Sequence, residues 1–300
     1  MEDTLQYLDP KVLNKLSNLE LKARLIVEGY ISGLHKSPYR GFAVEFAQHR
    51  EYVPGDDIRY IDWKVYGKSD RYYIKQYEEE TNLICYFLLD ASASMQYGAN
   101  GMSKYDYACH IAASLSYLIL QQQDAVGLYL FDREVRQDLP PSSNPAYLRD
   151  IAYHLGQVTP QEKTDMGTVM RDLCGRLRKR GLVILLSDCF DDPGQIMAGL
   201  RHFRHRKHDM IVFHILDKDE VEFPLQRLTL FEGLEDVNLR VVADPRALRR
   251  AYLQEVQSFL REIKSGCMAN RIDYVMITTD QLLDVALTAY LANRARRVRG

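Results

Sequence analysis

Three short segments of this 300-residue chain place oxygen-bearing side chains where apolar runs or loops end. In LLDASASMQYG an apolar run gives way to Asp90, Ser92 and Ser94 on alternate positions. Thr164 follows in EKTDMGT, and Asp188 follows in LLSDCFDD. Carboxylates, hydroxyls and water are the ligands that hard divalent cations prefer. These residues therefore predict a metal site for Mg²⁺, with Mn²⁺ and Ca²⁺ as the alternatives.

The predicted site has few carboxylates of its own. A cation held there would stay electrophilic and would keep positions that another protein's Asp or Glu can take. The residues thus predict a metal-dependent contact with a carboxylate-bearing partner.

The elements that must position these side chains are predicted from the apolar pattern. From Leu83 onward, apolar runs alternate with helical patterns: LICYFLL, AVGLYLF, LVILLS, MIVFHIL, LRVVA and YVMIT. Such alternation predicts a parallel sheet with helices on both faces. The segment REVRQDLPP follows the second run after a very short turn and predicts an antiparallel edge strand. Ligands of open α/β sheets bind beyond the carboxyl ends of the strands, which is where Asp90 falls.

The N-terminal part of the chain has a different texture. Apolar residues between Pro10 and Tyr30 recur at three- and four-residue steps and predict a helix. Residues 38–82 are rich in tyrosine, glycine and charge and predict short strands and loops, not a helix. We therefore predict an N-terminal extension over residues 1–80 and an α/β domain over residues 81–300.

Composition limits the partners and the compartment. Lysine plus arginine, at 39, nearly balances aspartate plus glutamate, at 41, which gives no support for binding nucleic acid or an anionic membrane. The five cysteines lack C-x-x-C spacing, and this argues against a disulfide framework or a structural zinc site. No apolar run approaches the roughly 20 residues that span a bilayer, and the start is not a targeting segment. A soluble, cytoplasmic protein without membrane insertion is predicted.

Two groups of motifs carry a family resemblance. Asp-x-Ser-x-Ser after an apolar strand, a later Thr before a helix start, and an Asp at the end of a later strand resemble the metal-ion-dependent adhesion site of von Willebrand factor A-type domains. The segment EFAQHREYVPGDDIRYIDWKVYGKSDRYYIKQYEEE resembles the signature of a bacterial family of uncharacterised proteins, domain of unknown function 58, which is associated with MoxR-type AAA+ ATPases. With the C-terminal portion, the resemblance covers nearly the whole chain.

The resemblance implies a Rossmann-like A-type domain with a mostly parallel central sheet, one antiparallel edge strand and helices on both faces. It implies that the metal ligands, direct or through water, are Asp90, Ser92, Ser94, Thr164 and Asp188. It also implies a non-enzymatic interaction module, an adaptor or co-chaperone, whose partner is a MoxR-type AAA+ ATPase or its client. Cys189 stands where A-type domains usually have a glycine.

Three charged clusters have structural as well as functional interpretations. A possible docking surface contains Asp56, Asp57, Arg59, Asp62 and Trp63. We favour an internal arginine–carboxylate network there over an acidic docking face. The series His202, His205 and His208 is interleaved with basic residues and indicates a solvated helix end, not a zinc site. The arginines of the C-terminal tail are kept only as a possible contact surface: Arg294, Arg296, Arg297 and Arg299.

The chain lacks the catalytic groups that three classes of enzyme require. A phosphotransferase of the haloacid-dehalogenase type needs a second aspartate two positions after the first, and here that position is Ser92. Neither Gly-x-Ser-x-Gly nor Gly-x-x-x-x-Gly-Lys-Ser/Thr occurs. We predict no enzymatic activity. A metal-dependent phosphohydrolase and a structural A-type domain with an empty site stay open as alternatives.

Overall fold

The computed structural model describes residues 44–53, 62–69, 71–79, 83–99, 101–233 and 240–281. The helix predicted between Pro10 and Tyr30 lies outside these residues. By their contacts, the described residues of 31–82 form one compact unit, and those from Leu83 onward form another. The division into residues 1–80 and 81–300 includes positions that the structure does not describe, and it stays a prediction.

The unit before Leu83 contains a two-stranded antiparallel ribbon and a short helix. Strand β1 (Val44–Glu51) pairs with β2 (Tyr73–Glu79), in agreement with the predicted short strands. Helix α1 (Trp63–Ser69) corrects the prediction that this region has no helix. The carbonyl oxygen of Asp62 accepts a hydrogen bond from the amide of Tyr66 at 3.0 Å, which begins the helix. Gly67 lies within this helix and lowers the helix propensity of the segment, so the sequence pattern did not indicate a helix.

The unit from Leu83 onward is built around a six-stranded sheet. The strands after Leu83 are β3 (Ile84–Asp90), β4 (Ala125–Phe131), β5 (Val135–Ser142), β6 (Leu182–Ser187), β7 (Asp209–Leu216), β8 (Thr229–Glu232), β9 (Arg240–Ala243) and β10 (Asp273–Thr278). The sheet order is β10-β7-β6-β3-β4-β5, with parallel pairing throughout except between β4 and β5. The predicted fold class and the antiparallel edge strand are confirmed.

Helices cover both faces of the sheet. They are α2 (Lys104–Gln121), α3 (Tyr147–Gln157), α4 (Met166–Arg176), α5 (Pro193–His205), α6 (Lys218–Glu222) and α7 (Pro245–Ala269). Buried residues of α2 and α3 pack against one face in one apolar cluster. Buried residues of α4, α5 and α7 pack against the other face in a second cluster. Since each central strand contacts a cluster on both sides, its apolar run is almost unbroken.

The run LRVVA departs from the prediction. Its strand β9 pairs antiparallel with β8 in a separate ribbon and does not join the main sheet. Val242 is 62% exposed and Leu230, its cross-strand partner, is 52% exposed. A four-residue strand with three apolar residues can form without being buried, and the sequence pattern does not distinguish exposed from buried strands.

The cysteines are divided between the two apolar clusters. Cys85 and Cys109 lie in the cluster with α2 and α3, whereas Cys174, Cys189 and Cys267 lie in the cluster with α4, α5 and α7. All five are buried and free. Within the described residues, no helix combines the length and the apolar character needed to cross a bilayer.

Candidate metal-binding site

The predicted site residues meet at the carboxyl end of the central strand. After β3 the chain continues through β4 to the β5 edge, then returns to place β6 on the other side of β3. The crevice between β3 and β6 is therefore the topological switch point of the sheet, where ligands of open α/β sheets bind. Asp90 ends β3, and Asp188 directly follows β6.

Asp90 is the centre of a buried hydrogen-bond network that joins three loops. Its Oδ1 accepts hydrogen bonds from the Ser92 amide at 2.9 Å and from the Thr164 hydroxyl at 3.3 Å. Its Oδ2 accepts a hydrogen bond from the Ser187 hydroxyl at 2.6 Å. The Ala93 amide donates to the Glu162 carbonyl at 2.9 Å, which ties the first loop to the loop of Thr164. The three separate sequence motifs are thus brought to one place.

The hydroxyl oxygens have spacings that suit a small cation. The Oγ atoms of Ser92 and Ser94 are 3.1 Å apart, and the Thr164 hydroxyl lies 3.3 Å from Asp90 Oδ1. Adjacent ligands of an octahedral Mg²⁺ at about 2.1 Å are about 3.0 Å apart. Both pairs could therefore ligate one ion with small shifts.

Asp188 has a partner that the sequence did not reveal. Its Oδ2 accepts from the Lys104 ammonium at 2.7 Å, and the same ammonium donates to Glu220 Oε1 at 2.7 Å. The side chains of Lys104 and Asp188 are each 2% exposed. The other oxygen of Asp188 accepts the amide of Phe190 at 3.1 Å. Asp188 is therefore part of a buried ion pair next to the predicted metal ligands.

Among the described residues, the carboxylates around the site outnumber its ammonium group, since Asp90, Asp188 and Glu220 lie near Lys104 alone, and burial penalises their charged forms. Burial, followed by the nearby Asp188 carboxylate, raises the pKa of Asp90 to about 7, although hydrogen bonds from Ser187 and Ser92 oppose the shift. Burial also raises the pKa of Glu220, in spite of its contact with Lys104. For Lys104, burial lowers the pKa, but the two carboxylates outweigh it and hold that pKa above its ordinary value. An added cation would stabilise the ionised Asp90.

The donor set fits a hard divalent cation on these grounds: it is all oxygen, it converges, and it has uncompensated negative charge. Within the described ranges, no cluster of three or more His, Cys, Asp or Glu side chains is arranged to hold a metal. The candidate site is of another kind, because hydroxyls outnumber carboxylates in it. Its residues are those predicted, Asp90, Ser92, Ser94, Thr164 and Asp188, and their role as ligands stays a prediction.

Cys189 keeps the backbone that the expected glycine favours. Its φ is 52°, in the left-handed region, and its amide donates to the Ser187 hydroxyl at 2.8 Å. The loop after β6 therefore has a glycine-like conformation with a buried thiol in place of hydrogen.

Lys104, Ser187 and Glu220 were missed by the sequence reasoning. A weak signal existed for Lys104, since a cation is unfavourable at the first position of a helix unless carboxylates lie nearby. Ser187 is a polar residue at the end of an apolar strand, directly before a predicted ligand. Glu220 had no sequence signal, because it is 116 residues from Lys104.

The structure describes only some residues of the other three predicted clusters. In the possible docking surface, Asp62 is buried and Trp63 is 61% exposed, whereas Asp56, Asp57 and Arg59 lie outside the described residues. His202 and His205 are exposed near the end of α5, and His208 is buried beyond it. The arginines of the tail also lie outside the described residues, so these two surfaces stay predictions.

The fold and the site define the class: an α/β protein with an oxygen-rich crevice at the switch point of its sheet. The family described as "Protein of unknown function DUF58" matches residues 48–259. The chain belongs to this family, as its signature segment predicted. The match contains the site motifs and does not test the MoxR association.

Similar curated proteins cover nearly the full length. Uncharacterized proteins of Mycobacterium tuberculosis and Mycobacterium bovis are each 24% identical over 292 residues, which is 96% of this chain and 91% of theirs.

Similar solved structures include the conserved hypothetical protein BatB from Bacteroides thetaiotaomicron, at 16% identity and a TM-score of 0.47, covering 71% of this chain and 99% of that one. An aerotolerance-related membrane protein from Bacteroides fragilis has 16% identity and a TM-score of 0.46, covering 70% and 99%. The vWF domain of the pilus tip protein Mfa5 from Porphyromonas gingivalis has 11% identity and a TM-score of 0.34, covering 72% of this chain and 95% of that one.

The cytoplasmic localisation of this protein stays a prediction.

Proposed function

We propose that this protein is a non-enzymatic interaction module that binds a partner through a divalent cation, with Mg²⁺ the favoured ion and Mn²⁺ or Ca²⁺ the alternatives. The observation that carries the proposal is the convergence of the Ser92, Ser94 and Thr164 hydroxyls around Asp90 in a buried crevice. When bound, the cation supplies open coordination positions for a carboxylate of the partner.

The chain's own residues have distinct tasks in this proposal. Asp90 contributes the principal negative charge, and its hydrogen bonds to Ser92 and Ser187 fix its orientation. The hydroxyls of Ser92, Ser94 and Thr164 contribute neutral oxygens that leave the cation electrophilic. Asp188 stands beside them, bonded to Lys104. The hydroxyls that donate to the Asp90 carboxylate, those of Thr164 and Ser187, belong to buried residues and are not presented to a substrate as nucleophiles, which supports binding over turnover.

The favoured partner is a MoxR-type AAA+ ATPase or its client protein, engaged through an Asp or Glu side chain. The resemblance of the signature segment supports the ATPase, and the neutral character of most donors supports a carboxylate ligand. We therefore propose that the protein acts as an adaptor or co-chaperone.

Metal binding is tested by thermal unfolding. Millimolar Mg²⁺ or Mn²⁺ is expected to raise the melting temperature of the wild type, because a ligand that binds only the native state stabilises it by about 2.7 kcal/mol at a hundred times Kd. Asp90→Ala and Ser94→Ala should lose this response. Ser143→Ala, at an exposed serine, should keep it.

If wild type and Asp90→Ala respond equally, or if neither responds, the site assignment is wrong. A clean preparation that releases phosphate from a phosphomonoester, and loses this activity in Asp90→Ala, would favour a phosphohydrolase instead.

A further inference from the structure

A buried ammonium group lies inside the candidate site. Lys104 is the first residue of α2, and its side chain is 2% exposed. Its Nζ lies 2.7 Å from Asp188 Oδ2 and 2.7 Å from Glu220 Oε1. The Lys104 Nζ also lies 6.0 Å from the centroid of the Tyr97 ring, and the residue as a whole is 1% exposed, so the ammonium is held away from solvent.

Lys104 and a divalent cation compete for Asp188. An ion that uses Asp188 must either break a short ion pair between two buried side chains or share the carboxylate with a positive charge. In the first case the ammonium is left with Glu220 alone. In the second case two cations repel each other in a medium of low dielectric constant. Both cases weaken metal binding.

We propose that Lys104 is a tethered competitor cation that weakens divalent-metal binding at this site and so determines its affinity. This inference rests on the proposed function, because it assumes that the oxygen site holds a metal. In the absence of metal, Lys104 stabilises the folded structure around the crevice, because its positive charge compensates the negative charge of Asp188. With metal present, it keeps occupancy low until the partner's carboxylate adds a further ligand.

Glu220 makes a charge-neutral test possible. Its Oε1 contacts Lys104, while its Oε2 accepts the amide of Asp217 at 2.7 Å and caps α6. Glu220→Gln can keep this cap through its side-chain oxygen. Replacing Lys104 alone would leave the buried Asp188 carboxylate and the partly exposed Glu220 carboxylate without their ammonium partner and endanger folding. The double variant Lys104→Met/Glu220→Gln removes one charge of each sign and keeps the side-chain volumes similar.

The experiment measures Mn²⁺ binding directly, from the loss of the free-ion electron paramagnetic resonance signal, so that the result does not depend on stability. The double variant is expected to bind Mn²⁺ at least tenfold more tightly than the wild type, equal to about 1.4 kcal/mol. Glu220→Gln alone, which leaves Lys104 on Asp188, should show no such gain. Lys218→Met/Glu222→Gln is the matched control, because it removes one charge of each sign from an ion pair whose side chains are 43% and 58% exposed.

The outcomes separate the two proposals. Equal affinity in the wild type and the double variant, with Asp90→Ala unable to bind, overturns the competitor role and leaves the metal site intact. Absence of binding in every variant overturns both. A gain of similar size in Lys218→Met/Glu222→Gln would show that losing any nearby ion pair has this effect, and it also overturns the competitor role.

Discussion

At the scale of single residues, His214 is a buried polar side chain in the apolar strand β7. Its Nδ1 shares a hydrogen bond of 2.8 Å with the Tyr274 hydroxyl, and its ring packs edge-on against Phe259. Burial is the main cause that lowers the pKa of His214 to about 4; Asp188 opposes the shift, and the nearby Lys104 contributes to it. The histidine is therefore neutral in the native protein at pH 7.

This depressed pKa predicts acid sensitivity. Because unfolded histidine titrates near pH 6.5, the unfolded state takes up a proton first as pH falls, and stability is lost between about pH 6.5 and 4. Relative to His214→Gln, the wild type should lose about 2 kcal/mol between pH 7 and 4.5. The measurement is urea unfolding with chelator at both pH values.

His202→Gln is the matched control, since His202 is exposed on α5. This variant keeps His214 and should therefore keep the loss of stability at low pH that His214 causes. Parallel curves for the wild type and His214→Gln would show that His214 is not the titrating group.

At the scale of elements, α4 and α5 approach closely at a glycine. A Cβ on Gly199 would lie 2.8 Å from Met170 Cβ and 3.1 Å from the Met166 carbonyl oxygen. A Cβ on Gly175 of α4 would meet nothing within 4 Å. Close packing between the helices therefore requires a glycine at position 199, whereas no contact requires one at position 175.

Alanine substitutions distinguish the two positions. Gly199→Ala should destabilise the protein by about 1 to 3 kcal/mol, because overpacking outweighs the gain in helix propensity. Gly175→Ala should stabilise it by up to about 1 kcal/mol, because only the propensity changes. Chemical unfolding measures both. If both variants are stabilised equally, α4 and α5 have more room than the structure gives them.

The sequence was informative where burial is complete. β3, β6 and β7 were predictable because both of their faces are covered and their runs are almost entirely apolar. β9 was placed in the wrong sheet because a short apolar run does not report its partner. The site motifs were predictable as local patterns, whereas the bond between Lys104 and Glu220 depends on a fold that joins distant segments.

At the scale of the whole molecule, the site lies at the surface end of a sheet whose strands fix three loops at once. Hydrogen bonds connect three segments: the loop that follows β3, the loop that precedes α4, and the end of β6. These segments cannot move independently without breaking buried hydrogen bonds. Phe190, directly beyond this network, is 66% exposed. A partner that binds as proposed would meet a preorganised surface, and its affinity should depend steeply on a few ligands.

Partner capture tests this arrangement. In a pull-down with the whole protein, the MoxR-type ATPase should be retained by the wild type and by Ser143→Ala. Chelator, Ser92→Ala and Ser94→Ala should each reduce it strongly, because each removes part of the coordination. The ATPase is quantified by mass spectrometry.

Retention of the ATPase under chelation and in both serine variants would show that it binds elsewhere. The segment GDDIRYIDW and the arginine-rich tail are then the surfaces to mutate next.

The burial of all five thiols has a practical consequence for following how the molecule opens. A thiol-alkylating reagent reaches a buried cysteine only when the surrounding structure unfolds, so labelling rates report opening free energies at specific places. Cys85 and Cys109 report on the face covered by α2 and α3, and Cys174, Cys189 and Cys267 report on the face covered by α4, α5 and α7. The native sequence thus carries probes on both faces of its sheet, one of them beside Asp188.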